Sequence, residues 1–388
     1  MAIAEGVTGT TILEAARALA PQIRAAADEI EQGRRLPLPL VRAMQQAGVF
    51  RMPMPRAWGG PEVDPLMQIR IVEELSAADP SVGWCAMIGS DAGFFTAFLE
   101  DDVGRALYPD LDMVTAASAR PSGRAVVVDG GYRVTGRWSF ASGCQHASYI
   151  VANARVIEDG DERSRPDGTP ESRFCYLPVD RCQILDTWIT TGLRGSGSHD
   201  FAAEDVFVPA EHTFSVLTSP ILREGPLYAL PTMFIINGAG VPLGIARAAI
   251  DAVVELASTK LTLAGTSMRN EAWIQTAVAK AETLVGGTRG YLFDVIGDIW
   301  ETLQRGDSLS FRQRALFRLA LADVGQKCTE AVNLLYQAGG GTSVYATSRL
   351  DCLMRDALTV NQHMMYSPSV YEVAGGMLLG VEPSQPLY

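Results

Sequence analysis

A predicted strand near the middle of the chain ends in residues that suit the binding of a flat ring. Two apolar runs, 126–128 and 132–140, flank an Asp-Gly pair at 129–130, and Asp-Gly between apolar runs is a strong hairpin signal. The second run ends in Phe140, and Ser142 follows it. An aromatic side chain can cover one face of a ring, and Ser142 can place a hydroxyl and a backbone N–H at its edge. The pattern favours a seat for a flavin-like ring; an ordinary strand that carries aromatic residues is the alternative.

Histidine chemistry must come from a short list, because the chain has 4 histidines. His363 follows Gln362 at the end of a predicted helix, whereas the histidines at 146, 199 and 212 lie in or beside predicted loops of a strand-rich region. An imidazole titrates near neutral pH, so His363 is a candidate acid or base. The alternative is a helix-end histidine that caps backbone carbonyls.

A second aromatic candidate, Trp84, lies on an apolar predicted helix. Asp79 or Ser81 is the predicted N-cap of that helix, with Pro80 in its first turn. The indole of Trp84 either faces a bound ring or belongs to the core.

The composition describes a large acidic protein. The net charge is −12 over 388 residues, of which 47% are hydrophobic, and this acidity argues against nucleic acid and anionic membranes as partners. Apolar runs stay below the roughly 18 residues needed to span a bilayer, and the N-terminus lacks the features of a signal peptide. The 6 cysteines form no C-x-x-C pair, which indicates reduced thiols and no metal site. We therefore expect a cytoplasmic protein without nucleic-acid, membrane or metal partners.

The residue pattern of the chain changes twice, from helical to strand-rich and back to helical. The segments with helical apolar spacing are 11–32, 37–47, 65–76, 80–98, 231–258, 273–301, 310–338 and 350–363. The predicted fold class is α+β. It comprises an N-terminal helical domain (1–113), a central antiparallel β domain of sandwich or barrel-like form (114–225) and a C-terminal four-helix bundle (226–388).

Two glycine-rich stretches admit both a binding and a structural interpretation. The backbone N–H groups of segment 191–200 could cradle a phosphate, but a tight turn is the simpler prediction. Gly238 and Gly240 are similar to a dinucleotide-binding fingerprint whose third glycine, Gly244, falls one place late. No alternation of strands and helices follows, so these glycines are predicted to allow close packing of helices.

Several motifs together point to one known family. Trp-x-Phe-x-Ser-Gly at 138–143 follows Gly-Gly-Tyr-Arg-Val, and Gly-Trp at 83–84 follows Ala-Asp-Pro-Ser. Gly-Leu-Arg-Gly-Ser-Gly-Ser occupies 192–198, and Arg-Asp at 355–356 follows a glycine-rich turn. Over nearly its whole length the chain resembles the acyl-CoA dehydrogenase fold. More narrowly, it resembles that fold's oxygenase branch, the two-component flavin monooxygenases that act on 4-hydroxyphenylacetate, steroid phenols, indole or dibenzothiophene.

The resemblance implies an enzyme that takes reduced FAD or FMN from a separate flavin reductase and uses O2 as co-substrate. It would oxygenate an aromatic or heteroaromatic small molecule through a C4a-hydroperoxyflavin, and it would be a homotetramer. As catalytic residues, Ser142 would hold the flavin N5 and His363 would orient the substrate or act as acid or base. The cofactor-binding residues implied are Trp84, Ser118, Ala119, Phe140, Ser142 and Gly340. The substrate-binding residues implied are Asp91, Ser196 and His363.

The closing segment is also interpreted through the resemblance. Arg355 and Asp356 would begin its helix, although Cys352 replaces a further arginine that the family carries before this pair. His363 follows Asp356 by seven residues, about two helical turns, so the two are expected near one face.

Two other functions stay open at this point. An acyl-CoA dehydrogenase with a displaced base needs a carboxylate, yet Met364 and Phe234 stand at the family's two base positions, and Glu372 is eight residues late. The pair Gln362-His363 resembles the oxygenase branch instead. A non-catalytic protein of the same fold is the third alternative.

Two departures from the family pattern refine the expectation. Residues 260–265 lack the Arg-x-Thr-Phe-Gly motif that grips the pyrophosphate of FAD, so we expect a loosely held flavin. Residues 87–92 contain no histidine, which phenol hydroxylases of this branch tend to have there. An indole, another heteroaromatic ring, an amine or a sulfur compound is therefore favoured over a phenol.

Overall fold

The computed structural model describes residues 6–230 and 233–383. The α-helices are α1 Gly9–Ala25, α2 Ala27–Gly33, α3 Leu38–Gln46, α4 Pro65–Ala78, α5 Pro80–Phe95, α6 Asp101–Leu107, α7 Gly240–Thr259, α8 Ala272–Gln304, α9 Phe311–Gly339, α10 Arg349–Val360 and α11 Ser369–Leu378. The strands are β1 Thr115–Val128, β2 Gly131–Ala141, β3 Tyr149–Glu158, β4 Asp161–Glu162, β5 Ser172–Pro178, β6 Gln183–Leu185, β7 His199–Pro209 and β8 Thr213–Phe214. The predicted order of helices, strands and helices is confirmed. The predicted helix 231–258 begins on Pro231 and Thr232, which lie outside the described residues.

The strands form one sheet in the order β6-β7-β2-β1-β3-β5-β8, with β4 paired to β3. The predicted hairpin is confirmed, since β1 and β2 pair antiparallel with Val128 opposite Gly131. The turn between them needs Gly130, whose φ is +74°.

The sheet is mixed, so the prediction of an antiparallel β domain is wrong in one pair. Strand β3 lies beside β1 and runs parallel to it. The chain still reverses direction after β2, but β3 returns on the far side of β1 instead of beside β2. The alternation of apolar and polar residues has the same period in both arrangements, and therefore cannot tell them apart.

Trp138 anchors the core on one face of the sheet. Its indole is fully buried, stacks on Phe201 with ring centroids 5.0 Å apart, and donates through Nε1 to the carbonyl of Asn153 at 2.6 Å. Gly123 allows this packing, because a Cβ there would lie 2.0 Å from the indole. The tryptophan of the Trp-x-Phe-x-Ser-Gly motif is thus a structural residue.

The described chain divides into two compact units of non-contiguous segments. The first holds the residues up to 64, 85–189 and 194–234; the second holds 65–84, 190–193 and the residues from 235 on. The three-domain division at 113 and 225 stays a prediction.

Within the second unit, α4 and α7 pack closely. A Cβ on Gly240 would lie 2.5 Å from the carbonyl oxygen of Ile69, and one on Gly244 would lie 2.4 Å from that of Glu73. The prediction that these glycines serve helix packing is confirmed. Among the described residues, one helical stretch, Met233–Thr259, is long and apolar enough to cross a membrane, but 83% of its most apolar window is buried inside the protein, as expected of a core helix.

The closing segment differs from the prediction in three ways. Arg355 and Asp356 lie in the second half of α10, so they do not begin a helix. The helix ends at Val360, and His363 precedes a separate 3-10 turn. His363 therefore does not share a helix face with Asp356. A fifth helix, α11, follows the four that were predicted for this region.

Candidate active site

Phe140, at the end of β2, holds an unusual backbone conformation and an exposed ring. Its φ is +63°, a value that is strained for a bulky residue and is found mostly at functional positions. The side chain is 69% exposed, and its ring meets Trp188 edge-on with centroids 6.2 Å apart. Ile189 beside it is also exposed. These three side chains, which we call the aromatic shelf, present an apolar surface on which a flat ring can lie.

The position of Trp188 depends on His199, the first residue of β7. The Nδ1 atom of His199 accepts the backbone N–H groups of Thr187 and Trp188, each at 3.2 Å. Burial lowers the pKa of His199, which keeps Nδ1 unprotonated and able to accept. Sequence reasoning missed Trp188, because β2 ends at Ala141, 47 residues earlier along the chain, and gives no local sign of this partner.

Ser142 belongs to a chain of three buried hydroxyls. Its Oγ lies 2.6 Å from Ser198 Oγ, which lies 2.7 Å from Ser196 Oγ. The structure thus brings together two of the predicted site residues through Ser198, which the sequence did not single out. The predicted role of the Ser142 backbone N–H is wrong, because that group donates to the carbonyl of Phe140 at 2.9 Å. The hydroxyl is the group by which Ser142 can serve a ligand.

Two further predicted cofactor residues lie on β1, the neighbour of β2. Ser118 donates through Oγ to the carbonyl of Ser139 at 2.8 Å, next to Phe140. The carbonyl of the exposed residue Ala119 accepts from Asn153 Nδ2 at 2.8 Å. The register of β1 against β3 shifts directly after Ser118, and such irregularities often re-aim residues beside a site. Ser118, Ala119, Phe140 and Ser142 therefore gather in one region of the sheet.

The Gly/Ser segment 191–200 is a tight turn, as predicted. Leu193 and Gly197 both adopt positive φ values, +48° and +53°. The N–H of Leu193 donates to Asp356 Oδ1 at 2.6 Å, and the N–H of Gly197 donates to the carbonyl of Arg194 at 3.3 Å. These two N–H groups serve the fold and are therefore not available to a phosphate.

Trp84 and His363 contact each other within the second unit. Their ring centroids lie 5.3 Å apart with the planes inclined at 73°. The N–H of Met365 donates to His363 Nδ1 at 3.4 Å, which leaves the proton of a neutral imidazole on Nε2. The predicted alternative of a histidine that caps carbonyls is replaced by one that caps an N–H group.

The imidazole of His363 is neutral at pH 7. Burial lowers its pKa to about 4, and the positive charge of Arg318 acts in the same direction. Therefore neutral His363 can donate a hydrogen bond from Nε2. It can accept a proton near pH 7 only if a change in its surroundings raises its pKa. It does not act as a resident imidazolium acid.

Asp91, on α5, is buried and incompletely bonded. It is 5% exposed, and within the described part of the chain its Oδ1 has no hydrogen-bond partner. Burial raises its pKa well above the ordinary value, because the charged form is disfavoured away from water. The small cavity further along α5, which Phe94, Phe95 and Tyr228 help to line, has a volume of about 10 Å³ and holds a water molecule at most.

Gly340, the last predicted cofactor residue, lies in an exposed turn with φ +60°. Lys260 reaches this turn and donates through Nζ to the carbonyl of Gly339 at 3.3 Å and to Thr342 Oγ1 at 2.6 Å. The sequence showed Lys260 only as part of a missing motif. In the structure it places a cation beside Gly340, at a position that suits the binding of an anionic group.

The positions that would serve a dehydrogenase carry no suitable acid. Met364 is 65% exposed, and Glu372 is exposed on α11. A base must approach its proton within hydrogen-bond distance in a protected site. The arrangement around His363 thus favours hydrogen bonding to a substrate over abstraction of a proton by a carboxylate.

Comparison with known proteins agrees with this geometry. Residues 10–101 match the N-terminal domain of acyl-CoA dehydrogenases and residues 236–368 match their C-terminal domain. The indole-3-acetate monooxygenase of Pseudomonas putida is 31% identical over 93% of this chain and 91% of its own length. The chain belongs to the flavin-dependent monooxygenases of the acyl-CoA dehydrogenase fold. It is accordingly an oxidoreductase that works with reduced flavin.

Two further relatives of this monooxygenase family support the same assignment. The oxygenase component of the FADH2-dependent resorcinol hydroxylase of a Rhizobium species is 29% identical, over 94% of this chain and 93% of its own length. The crystal structure of the HsaA monooxygenase from M. tuberculosis superposes with a TM-score of 0.90 at 26% identity, covering 98% of this chain and all of that one. The fold is therefore shared over 98% of this chain.

The residues of the first unit fit a flavin ring. The aromatic shelf presents an exposed aromatic face on a strained backbone, and the buried hydroxyl of Ser142 lies two residues further on. A reduced flavin, when bound, supplies the electrons that activate O2. The protein supplies the apolar surface for the ring and a hydroxyl held in position by Ser198.

His146 offers a test of how strongly burial lowers the pKa of a histidine in this region. Burial lowers its pKa to about 4, and Nε2, which faces Gly143, has no partner in the described part of the chain. Since the unfolded histidine has a pKa near 6.5, the unfolded chain binds more protons between pH 6.5 and 4, so folding stability falls as the pH falls through this window.

We expect His146→Gln to reduce this acid sensitivity. Between pH 7 and pH 4.5 the wild type should lose about 2–3 kcal/mol more unfolding free energy than the variant. Urea unfolding at the two pH values measures the difference. Equal losses in the two proteins would show that the imidazole is solvated in solution.

Proposed function

We propose that this chain is the oxygenase component of a two-component system and that it adds one oxygen atom of O2 to an aromatic or heteroaromatic small molecule. The observation that carries the proposal is the contact between Trp84 and a neutral His363, directly before Met364, one of the two positions where a dehydrogenase would need a carboxylate. The relatives named for indole-3-acetate and resorcinol support an aromatic substrate.

Each proposed site residue has a role that its surroundings allow. In the first unit, the aromatic shelf contacts the flavin ring, while Ser118 and Ala119 border it with groups of β1. In the second unit, Trp84 is a further cofactor-binding residue. Ser142 Oγ donates a hydrogen bond to the ring edge, because Ser198 is placed to supply a hydrogen bond in return. Gly340, together with Lys260, binds a phosphate of the cofactor, since an ammonium group next to a flexible glycine turn suits an anion.

The proposed substrate-binding residues are His363 in the second unit and, separately, Asp91 and Ser196 in the first. His363 Nε2–H donates to a heteroatom of the substrate and keeps it oriented during oxygen transfer. Asp91 adds a buried carboxyl oxygen that is open to a donor. Ser196, which is 1% exposed, acts through its place in the hydroxyl chain.

The proposal is tested by rapid mixing. Enzyme with reduced FAD or FMN is mixed with buffer that contains ¹⁸O2 and an aromatic substrate such as indole-3-acetate. One ¹⁸O atom in the product supports the proposal, while consumption of oxygen that yields only hydrogen peroxide with every aromatic tried contradicts it. Bleaching of tightly bound FAD by an acyl-CoA would favour a dehydrogenase, and failure to bind any flavin would favour a non-catalytic protein.

The flavin is expected to leave the oxidised protein easily. Lys260 supplies a cation at the Gly340 turn, and segment 260–265 has no arginine. The purified protein should be nearly colourless after gel filtration, and it should then depend on a separate reductase for its cofactor. Stoichiometric yellow flavin that survives the column would contradict this prediction.

We further propose a cytoplasmic homotetramer. The second unit exposes large apolar side chains on three different helices, Val254 on α7, Trp273 on α8 and Leu358 on α10, and such surfaces commonly mark subunit contacts. Light scattering should give the mass of four 41.7 kDa chains. A monomer at micromolar concentration would refute the tetramer.

A further inference from the structure

A short turn after β6 carries two of the three side chains of the aromatic shelf. Residues 186–189, which we call the shelf turn, directly follow that strand. The Nδ1 atom of His199 accepts two N–H groups of the turn, those of Thr187 and Trp188, and Thr187 Oγ1 accepts the N–H of Asp200 at 2.8 Å. All of these residues lie in the first unit. The shelf turn is therefore hydrogen-bonded to the start of β7.

Arg34, which follows α2 in the same unit, binds the shelf turn from its other side. Its Nη1 donates to Asp186 Oδ1 at 2.7 Å and to the carbonyl of Trp188 at 3.2 Å, and its Nη2 donates to Asp186 Oδ2 at 3.0 Å. An arginine that holds a carboxylate with two parallel bonds has a defined geometry, which a lysine does not reproduce. The guanidinium thus connects two residues of the shelf turn to the end of α2.

The backbone of Arg34 is strained and lies against the Gly/Ser turn. Its φ is +50°, a value at the end of a helix that glycine or asparagine adopts more readily than arginine. A Cβ on Gly197 would lie 3.0 Å from the carbonyl oxygen of Arg34, and Arg194 Nε donates to the carbonyl of Glu31 at 3.1 Å. The end of α2 therefore contacts both the shelf turn and the segment that leads to Ser198.

We propose that Arg34 is a positioning residue for the flavin, because it holds Trp188 against Phe140 and thereby determines how tightly the aromatic shelf binds the ring. The two aromatic side chains meet edge-on with centroids 6.2 Å apart. This inference rests on the proposed function, and it adds a residue that acts on the cofactor through another side chain. A turn that is ordered before the flavin arrives does not have to be ordered on binding, which favours tighter binding.

The ion pair of Arg34 and Asp186 contributes little to the stability of the whole chain. The arginine side chain is 24% exposed and the aspartate side chain is 69% exposed, and exposed ion pairs add little to the unfolding free energy. The order of the shelf turn, in contrast, depends on a few local hydrogen bonds. Arg34→Gln should therefore unfold at nearly the wild-type temperature, which circular dichroism during heating measures, and still bind flavin more weakly.

The main test measures flavin binding in matched variants. Each protein is titrated under nitrogen at pH 8 with chemically reduced FAD, and in a parallel series with reduced FMN. Arg34→Gln should bind the flavin about tenfold more weakly, the scale of one lost hydrogen bond with a charged partner. Arg34→Lys should recover part of this loss, because an ammonium group cannot hold both carboxylate oxygens and the carbonyl. Arg35→Gln removes the same charge from the exposed neighbouring residue and should bind like the wild type.

A double variant shows whether Arg34 acts through Trp188. If it does, the protein that combines Arg34→Gln with Trp188→Ala should bind flavin no more weakly than Trp188→Ala alone, since both changes remove the same interaction. Hydrogen exchange of the flavin-free proteins gives an independent measure. The N–H groups of Thr187 and Trp188 should exchange faster in Arg34→Gln than in the wild type or in Arg35→Gln.

The pH profile of flavin binding supplies a readout that a general loss of packing would not move. Burial lowers the pKa of His199, and the charge of Arg34 acts in the same direction, whereas the charges of Asp186 and Asp200 act against it. Protonation of Nδ1 ends its role as the acceptor for the N–H of Trp188. Without the arginine this protonation begins at a higher pH, so binding by Arg34→Gln should decline at a higher pH than in the wild type. Arg34→Lys keeps the charge and should decline at the wild-type pH.

Several results would overturn the positioning role of Arg34. They are equal flavin binding in the wild type and Arg34→Gln, an equal loss in Arg35→Gln, and additive losses in the double variant. Unchanged hydrogen exchange in the shelf turn or an unchanged pH profile in Arg34→Gln would also contradict it. A large fall in the unfolding temperature of Arg34→Gln would show a general structural role instead.

The same proteins distinguish this inference from the proposed function. If Arg34→Gln weakens flavin binding as expected but no oxygenated product forms from any aromatic compound when O2 is admitted, the proposed function fails and the positioning role stands. If product forms while Arg34→Gln binds flavin like the wild type, the function stands and the inference is overturned.

Discussion

Replacing His363 with alanine should lower product formation by tens-fold or more while oxygen consumption continues. The imidazole contacts Trp84 and carries its proton on Nε2, since Nδ1 accepts the N–H of Met365. Without that donor the substrate loses its orientation, and the usual contribution of a positioned acid, base or donor group is about a hundredfold or more. Oxygen that is consumed but not transferred should leave as hydrogen peroxide. Simultaneous assays of product, oxygen and peroxide measure this shift.

The pH profile adds a second test of His363. With a pKa of about 4, the imidazole stays neutral between pH 6 and pH 8, so the ratio of product to oxygen consumed should be flat there with respect to this group. It should fall as the pH approaches 4, because protonation adds a charge beside Arg318.

His212→Ala is the matched control for the histidine variant. His212 lies in a 3-10 turn of the first unit, residues Ala210–His212, and should leave coupling unchanged when it is replaced. Full coupling in His363→Ala would end the catalytic interpretation. Loss of folding or of flavin binding in that variant would favour a purely structural role, since His363 also caps the turn Met364–Tyr366.

The sequence predicted best the features that depend on neighbouring residues. The Asp-Gly turn determined the β1–β2 hairpin, and Asp79 caps α5 by accepting the N–H groups of Ser81 and Val82, as the pattern indicated. Gly240 and Gly244 could be assigned to packing because only helix followed them. In each case a local rule and the final fold agree.

Features that depend on residues distant along the chain could not be predicted in this way. The pairing of Phe140 with Trp188, of Ser142 with Ser198 and of Lys260 with the Gly340 turn arises only when the chain has folded.

The prediction that His363 and Asp356 lie near one helix face is wrong for a different reason. The helical spacing of apolar residues continues past Val360, but the helix ends there, and His363 precedes a separate 3-10 turn. Periodicity fixes which residues could share a face, and it leaves open where the helix stops.

Replacing Ser142 with alanine should raise the release of hydrogen peroxide about ten- to a hundredfold, the scale of one lost hydrogen bond to a buried group. The serine Oγ is buried and lies 2.6 Å from Ser198 Oγ, so its orientation is fixed before a ligand binds. Alanine removes the donor at the ring edge and leaves the backbone turn intact, because the N–H of residue 142 bonds to the carbonyl of Phe140. Peroxide release is measured by single-turnover mixing of reduced enzyme with oxygen.

The hydroxyl chain supplies graded controls for the serine variant. Ser198→Ala keeps the Ser142 hydroxyl but removes the group that orients it, so peroxide release should rise by less than in Ser142→Ala. Ser215→Ala removes a buried hydroxyl that accepts a local N–H, that of Leu217 at 3.4 Å, and should match the wild type. An unchanged rate in Ser142→Ala would remove this residue from the ring edge. An equal rise in peroxide release in all three variants would mean that the loss of any of these hydroxyls loosens the sheet. A large rise in Ser142→Ala with a smaller one in Ser198→Ala requires a hydroxyl aimed at the reacting ring.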